Sequence, residues 1–150
     1  MKVVIQRVNY ASVSIESKVK SEIKKGLLIL VGIEEADNIE DIVWLSNKIT
    51  QLRIFDDQTG IMNLSIKEID GEILAISQFT LHAKVKKGNR PSYQQAAKPE
   101  VSVPIYNQFI EQLGLDIGKE IKTGVFGAYM KVGLENDGPV TIIIDTKNKL

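Results

Sequence analysis

Apolar and polar positions alternate from the first residues onward. Val3, Ile5 and Val8 sit among polar neighbours across residues 2–8, and Val13 and Ile15 repeat the period of two across 10–16, so two strands are predicted there. Another short strand fits 18–24. GLLILVGI, residues 26–33, is apolar without interruption and reads as a fully buried strand. The period then changes. Ile42, Leu45, Ile49 and Leu52 fall on one helical stripe, and Asp37 with Glu40 three residues on has the arrangement of a capping box, which predicts a helix over 38–51. RIF (53–55), DDQTG (56–60) and MNLS (62–65) suggest a hairpin, and EILAISQF (72–79) a second buried strand. Pro99 opens a second helix with Val103, Tyr106, Phe109, Ile110 and Leu113 on one face and Gly114 as its stop. Strands are expected at 119–123, 129–134 and 139–145. The last follows the turn NDGP, and its Val140, Ile142, Ile143 and Ile144 suit a half- or fully buried pleated surface.

Many strands and two helices without strict βαβ alternation predict an α+β fold: a mainly antiparallel sheet covered on one side by helices. The chain has 150 residues, 43% of them apolar and 25% charged, which suits a single domain, 1–150, with a real core. No apolar run approaches the roughly 18 residues of a membrane helix, and the N-terminus lacks the apolar core of a signal peptide, so no membrane partner is expected. There is no Cys, which excludes disulfides and thiolate chemistry and fits a cytoplasmic protein. The one His, His82, does not build a multi-histidine metal centre, and no calcium-loop spacing occurs, so neither metal nor other cofactor is expected. Net charge is zero. A nucleic-acid partner therefore has to be held by a local patch, and the densest is KVKKGNR, with Lys84, Lys86, Lys87 and Arg90 around Asn89. On charge alone a solvated loop is an equal reading.

Residues 80–98 show no period, and a loop of that length in a compact domain is usually functional or disordered. It follows SQFTLHA, where a buried strand runs out. Backbone N–H groups leaving a sheet ladder are free to bind a ligand oxygen and, held in place, stabilise a developing oxyanion. Ser77 and Thr80 are candidate nucleophiles and His82 a candidate base, since 80 and 82 share a face along a strand. Nothing evident orients His82, and the Gly-x-Ser-x-Gly signature is absent. Ser and Thr that simply end a strand by local hydrogen bonding fit these residues better. In NRPSYQQAA (89–97), Asn89, Arg90 and Ser92 suit phosphate or sugar and Tyr93 suits a base, while Pro91 and Ala96-Ala97 fit an ordered loop equally well. Gly138-Pro139 is, as a dipeptide, an ordinary trans proline before a strand; a cis bond would fix a sharp turn and aim two carbonyls.

Taken in order, SQFTL (77–81), NRPS (89–92), FGA (126–128) and NDGPVT (136–141) resemble the D-aminoacyl-tRNA deacylase family, as do the opening MKVVIQRV, the GLLILVGI strand and LRIFDD. The similarity spans essentially the whole chain. It implies a homodimer with a β-barrel-like core that hydrolyses the ester joining a D-amino acid, or mischarged glycine, to the terminal adenosine of tRNA. It implies a cis Gly138-Pro139 bond that enters the partner's active site and screens chirality by leaving no room for an L side chain. It assigns the N–H groups of Phe79 and Thr80 to the oxyanion, Ser77 and Gln78 to the pocket, and proton chemistry to the substrate's own ribose 2′-OH. Arg7 is expected to donate to the Gly-Pro carbonyls or nearby backbone, or else to sit in a surface salt bridge. Lys84, Lys86, Lys87, Asn89 and Arg90 are expected to meet the tRNA, with no DNA partner. FGAYM carries Tyr129 where the resemblance leads one to expect a smaller or acidic residue. Two rival readings remain at this point: a non-catalytic RNA-binding module and an esterase with a Thr nucleophile.

Overall fold

In the computed structural model, which describes residues 1–150, β1 (Lys2–Ile15) is one long strand where two were expected. It turns tightly at Glu16 and Ser17, both at positive φ (50° and 64°), the backbone that two-residue hairpins require. The chain returns antiparallel along the same side of β1 as β2 (Lys18–Ile23) and then β3 (Gly26–Gly32). Helix α1 (Ile39–Gln51) leads to the small hairpin β4 (Phe55–Asp56) and β5 (Met62–Leu64), which forms its own sheet. β6 (Glu72–Ser77) then pairs parallel to β3, and after helix α2 (Pro99–Ile117) the short β7 (Lys122–Thr123) pairs parallel to β6. β8 (Lys131–Asp145) runs antiparallel along the free side of β1.

The α+β architecture with two helices therefore stands, with two parallel pairs added to an otherwise antiparallel sheet. Its far edge curls back toward β2: the Ser21 hydroxyl and Lys20 ammonium both donate to the Thr123 carbonyl of β7, at 2.6 and 3.1 Å. No helix is long and apolar enough to cross a membrane.

β3 explains the uninterrupted apolar run. Leu27, Ile29 and Val31 pack with Val3, Ile5, Ile73 and the helical residues Ile42, Leu45, Ile49, Phe109 and Leu113. Leu28 faces the other way, into a second cluster with Val8, Val13, Leu74 and Ile76. A strand apolar on both faces is what this double burial needs.

Helix α1 is capped one residue later than Asp37. The cap is Asn38, whose side chain accepts from the N–H groups of Glu40 and Asp41, while the Asp41 carboxylate accepts in return from the Asn38 N–H at 3.0 Å. Asp37 is engaged elsewhere, by the Glu34 N–H at 2.9 Å and the amino group of Met1. Helix α2 runs past Gly114, because Leu113 and Ile117 carry its buried stripe one more turn; the stop is Gly118, at φ 79°, whose N–H donates to the Gly114 carbonyl.

Asp41 also ties α1 to the chain's end, accepting from the Lys147 ammonium at 2.7 Å. Burial pushes its carboxyl up, but hydrogen bonds from Lys147, Thr146 and the Asn38 backbone outweigh this and hold it below its ordinary value. A depressed folded pKa contributes stability that is present above the unfolded value and lost as pH falls through the folded one. Asp41→Asn is thus expected to flatten the acid limb of the stability profile. Urea midpoints of the two proteins should converge as pH drops below about 4.

Candidate active site

The site begins where β6 runs out of partners. β3 ends at Gly32, and the last sheet bond is the Gln78 N–H donating to the Val31 carbonyl at 2.7 Å. The strand predicted to reach residue 79 stops at Ser77, and Phe79–His82 coil into a single 3-10 turn. This corrects the shared face proposed for Thr80 and His82. His82 is buried, 5% exposed, and its Nε2 has no hydrogen-bond partner. The Thr80 hydroxyl instead accepts from the Gln78 side-chain amide at 2.5 Å. Gly32 permits the turn to dock: a Cβ there would lie 3.0 Å from both His82 Cδ2 and Leu81 Cβ, and 3.1 Å from the Gln78 carbonyl oxygen.

The first bond inside the turn is Leu81 N–H to the Gln78 carbonyl at 3.3 Å. The N–H groups of Phe79 and Thr80 precede it, as the opening donors of any helical turn do. Behind them the strand is braced by Tyr106 of α2, whose buried hydroxyl donates to the Ala75 carbonyl at 3.2 Å. Burial pushes that phenol up to about 12, so it remains a donor throughout the useful pH range.

In front of the turn lies a cavity of about 580 Å³, within the usual size for a small-ligand site. Ser77, Gln78 and Phe79 line it, together with Tyr93, Lys98, Ser102 and the 126–130 segment. Of these, the sequence singles out Ser77, Gln78, Phe79 and Tyr93 as site candidates and FGA through the family resemblance, while Ala96-Ala97, read there as fitting an ordered loop, also line the cavity. Lys98, Ser102, Met130 and Val132 carry no such signal, because in the sequence they look like ordinary core or surface positions. No carboxylate lines the cavity, and Lys98 is its one charged residue.

The loop 83–98 is ordered by two isolated bridges, Lys84 with Ser92 and Glu34 with Ala96. Lys84, Lys86, Lys87, Asn89 and Arg90 are all exposed, and none of these cations is in an ion pair.

Gly138-Pro139 is cis, exposed, and not a turn ahead of a buried strand. It lies inside β8, the outer strand of the sheet, where Ile143 is 68% exposed. Thr141 is opposite Gln6 and Asn136 opposite Val8, so four residues, 137–140, bulge against Arg7 alone. The Asn136 side chain pins the bulge by accepting from the Val140 N–H at 2.8 Å. Arg7, 6% exposed, donates to the carbonyls of Asp137 at 3.1 Å and Ile54 at 2.7 Å, and pairs with the carboxylates of Asp137 and Asp56. It is thus bound to backbone next to Gly138 and is no surface salt bridge.

Within one chain the bulge and the cavity do not meet. Arg7 is in register with Leu27, and Leu27 with Ile73, four residues before Ser77. That is about 13 Å along the sheet, with β1 and β3 lying between β8 and β6.

A family model described as D-Tyr-tRNA(Tyr) deacylase matches residues 4–145. A protein of Flavobacterium psychrophilum named D-aminoacyl-tRNA deacylase is 64% identical over 149 residues, and one of the same name from Bacteroides fragilis is 66% identical over 149, each match covering 99% of both chains. Among solved structures, a chain described as c-Myc DNA Unwinding Element Binding Protein superposes with a TM-score of 0.92 at 41% identity, covering 97% of this chain and 98% of its own. A probable eukaryotic D-amino acid tRNA deacylase shares the fold, at TM-score 0.82 and 17% identity. The fold and these relatives define the chain as an enzyme of the hydrolase class. It belongs to the D-aminoacyl-tRNA deacylase family.

Proposed function

We propose that this chain, acting as a single domain in the cytoplasm, hydrolyses the ester between a D-amino acid, or glycine on the wrong tRNA, and the terminal adenosine of tRNA. The reading rests on family membership, and on one observation about the cavity: Ser77, Gln78 and Phe79, where the strand passes into the 3-10 turn, line it, while no carboxylate or histidine does. His82 lies buried outside its lining, and Thr80 is engaged by Gln78.

Water adds to the ester carbonyl, and the two N–H groups hold the oxyanion that forms. The bond to the ribose 3′-oxygen then breaks, that oxygen takes a proton, and free amino acid and tRNA leave. The neighbouring 2′-OH of the substrate orients the water and relays the proton. An aminoacyl ester is already activated, so positioning and oxyanion stabilisation suffice. Ser77 and Gln78 shape the adenosine pocket, and Lys84, Lys86, Lys87, Asn89 and Arg90 take the acceptor-stem backbone.

In this reading the protein is a homodimer, with sites at the subunit interface. The exposed Gly138-Pro139 bulge, too far from its own cavity, enters that of the partner. Main-chain atoms held by Arg7 and Asn136 do not swing aside as a rotamer does, so an L side chain is excluded while a D side chain points to solvent.

Release of D- against L-tyrosine from matched charged tRNAs tests the proposal. D-tyrosine is expected to be released and L-tyrosine retained, and a terminal 2′-deoxyadenosine to slow release by about 10²-fold or more. Thr80→Ala is expected to stay within about 10-fold of wild type, since its backbone N–H is unchanged. Abolished turnover in Thr80→Ala with binding intact makes Thr80 the nucleophile. Salt-sensitive tRNA binding with no release makes the chain a binding module.

A further inference from the structure

Four aromatic rings line the cavity: Phe79, Tyr93, Phe126 and Tyr129. Three have partners. Phe79 and Tyr93 pack edge to face at 5.0 Å, and Phe126 packs against the buried Tyr106 at 5.5 Å. Tyr129 has none and is 86% exposed, the most open aromatic ring in the chain. Its backbone is nonetheless held on both sides. Phe126 is anchored on α2, the Ala128 N–H donates to the Val125 carbonyl at 3.2 Å, and Met130 packs against the inner cluster of the sheet.

A ring on a fixed base, in water, at the wall of a cavity without carboxylates is a stacking surface waiting for a flat partner. The surrounding charge favours a polyanion. Lys98 lines the cavity, Lys131 is exposed two residues from Tyr129, and the Lys84–Ser92 bridge brings the start of the cationic loop beside Tyr93. A single-stranded nucleic acid that places its terminal adenosine inside can lay its preceding nucleotide against this exposed ring.

We propose that Tyr129 stacks on the base of the penultimate nucleotide, giving the enzyme a second nucleobase station beyond the adenosine pocket. This deepens the function proposed above and rests on it. Binding the second base adds affinity for the polynucleotide without touching the reacting ester, so it acts on KM and not on kcat.

The test compares D-tyrosine esterified to adenosine with D-tyrosine esterified to the dinucleotide cytidylyl-adenosine. Wild type is expected to show a KM about 10-fold lower for the dinucleotide. In Tyr129→Ala that advantage collapses to nearly one, and Tyr129→Phe keeps it, since the ring and not the hydroxyl stacks. Equal KM values for the two substrates in wild type, or an advantage that survives in Tyr129→Ala, overturn the proposal. So does a change of oligomeric state in Tyr129→Ala by sedimentation equilibrium, which places the ring between copies of the chain. Titration of wild type and both variants with uncharged cytidylyl-adenosine and with adenosine needs no turnover. If wild type releases no D-tyrosine from either ester, the deacylase reading fails, while a Tyr129-dependent preference for the dinucleotide still decides the second station.

Discussion

Gly138→Ala is expected to lower release of D-tyrosine from charged tRNA by about 100-fold while the chain stays folded. Gly138 sits at φ 128°, a backbone conformation that an L side chain resists. A Cβ there would lie 2.8 Å from Val140 Cγ2 and 3.1 Å from both the Val140 nitrogen and Arg7 Nη2. None of these yields readily. Val140 is β-branched with few rotamers, its nitrogen is held by Asn136, and Arg7 is fixed by several acceptors. The bulge itself must therefore shift. A displacement of about 1 Å in a positioning element costs about 10²-fold in rate. Because Gly138 is exposed, the global cost is limited to local strain of about 1–3 kcal/mol. Single-turnover deacylation alongside thermal melting separates the two effects. An unchanged rate in a folded variant would show that the bulge is remote from the chemistry in the assembled enzyme as well as in one chain.

Arg7→Met is expected to produce the largest loss of stability among these changes, about 3 kcal/mol, together with a rise in L-tyrosine release relative to D. The side chain is buried and of similar volume to methionine, so packing is largely conserved. What disappears is the donor set. The carbonyls of Ile54 and Asp137 lose a charged partner, and a polar group left unpaired in the interior costs about 1–3 kcal/mol. The Asp56 and Asp137 carboxylates are half-open to water and add little to that loss. Arg7 also joins two sheets, since Ile54 and Asp56 belong to the β4–β5 hairpin and its approach while Asp137 belongs to β8. Removing it frees the bulge from that brace. Urea denaturation reports the stability change, and the D-to-L rate ratio reports the gate. A ratio that holds while stability falls would confine Arg7 to a structural role. Arg7→Lys keeps the charge but not the fork of donors, and should fall between wild type and Arg7→Met on both readouts.

The helices and the buried strands were legible because each announces itself within a few neighbours, whereas FGA stood out only through the family resemblance. GLLILVGI has no polar position to turn toward water, and Ile42, Leu45 and Ile49 repeat at the helical period. At both helix ends where the reading and the structure part, two nearby residues offered the same local chemistry. Asp37 and Asn38 both cap helices well; Asn38 does so because Met1 and Glu34, distant or non-helical, engage Asp37. Gly114 and Gly118 both end helices well, and burial of Ile117 chose the second.

The sequence by itself determined the class of each element, the apolar faces that must be covered, and the family motifs SQFTL, NRPS, FGA and NDGPVT. Only the tertiary structure decided where strands end and which side chains meet. β6 stops at Ser77 because β3 stops at Gly32, and β8 continues through Gly138-Pro139 because β1 is long enough to pair on both sides of it. Periodicity is written in residues two to four apart, whereas a strand end, a bulge or a cavity wall is set by a hydrogen-bond partner far along the chain. Arg7 and Asp137, 130 residues apart, form such a pair.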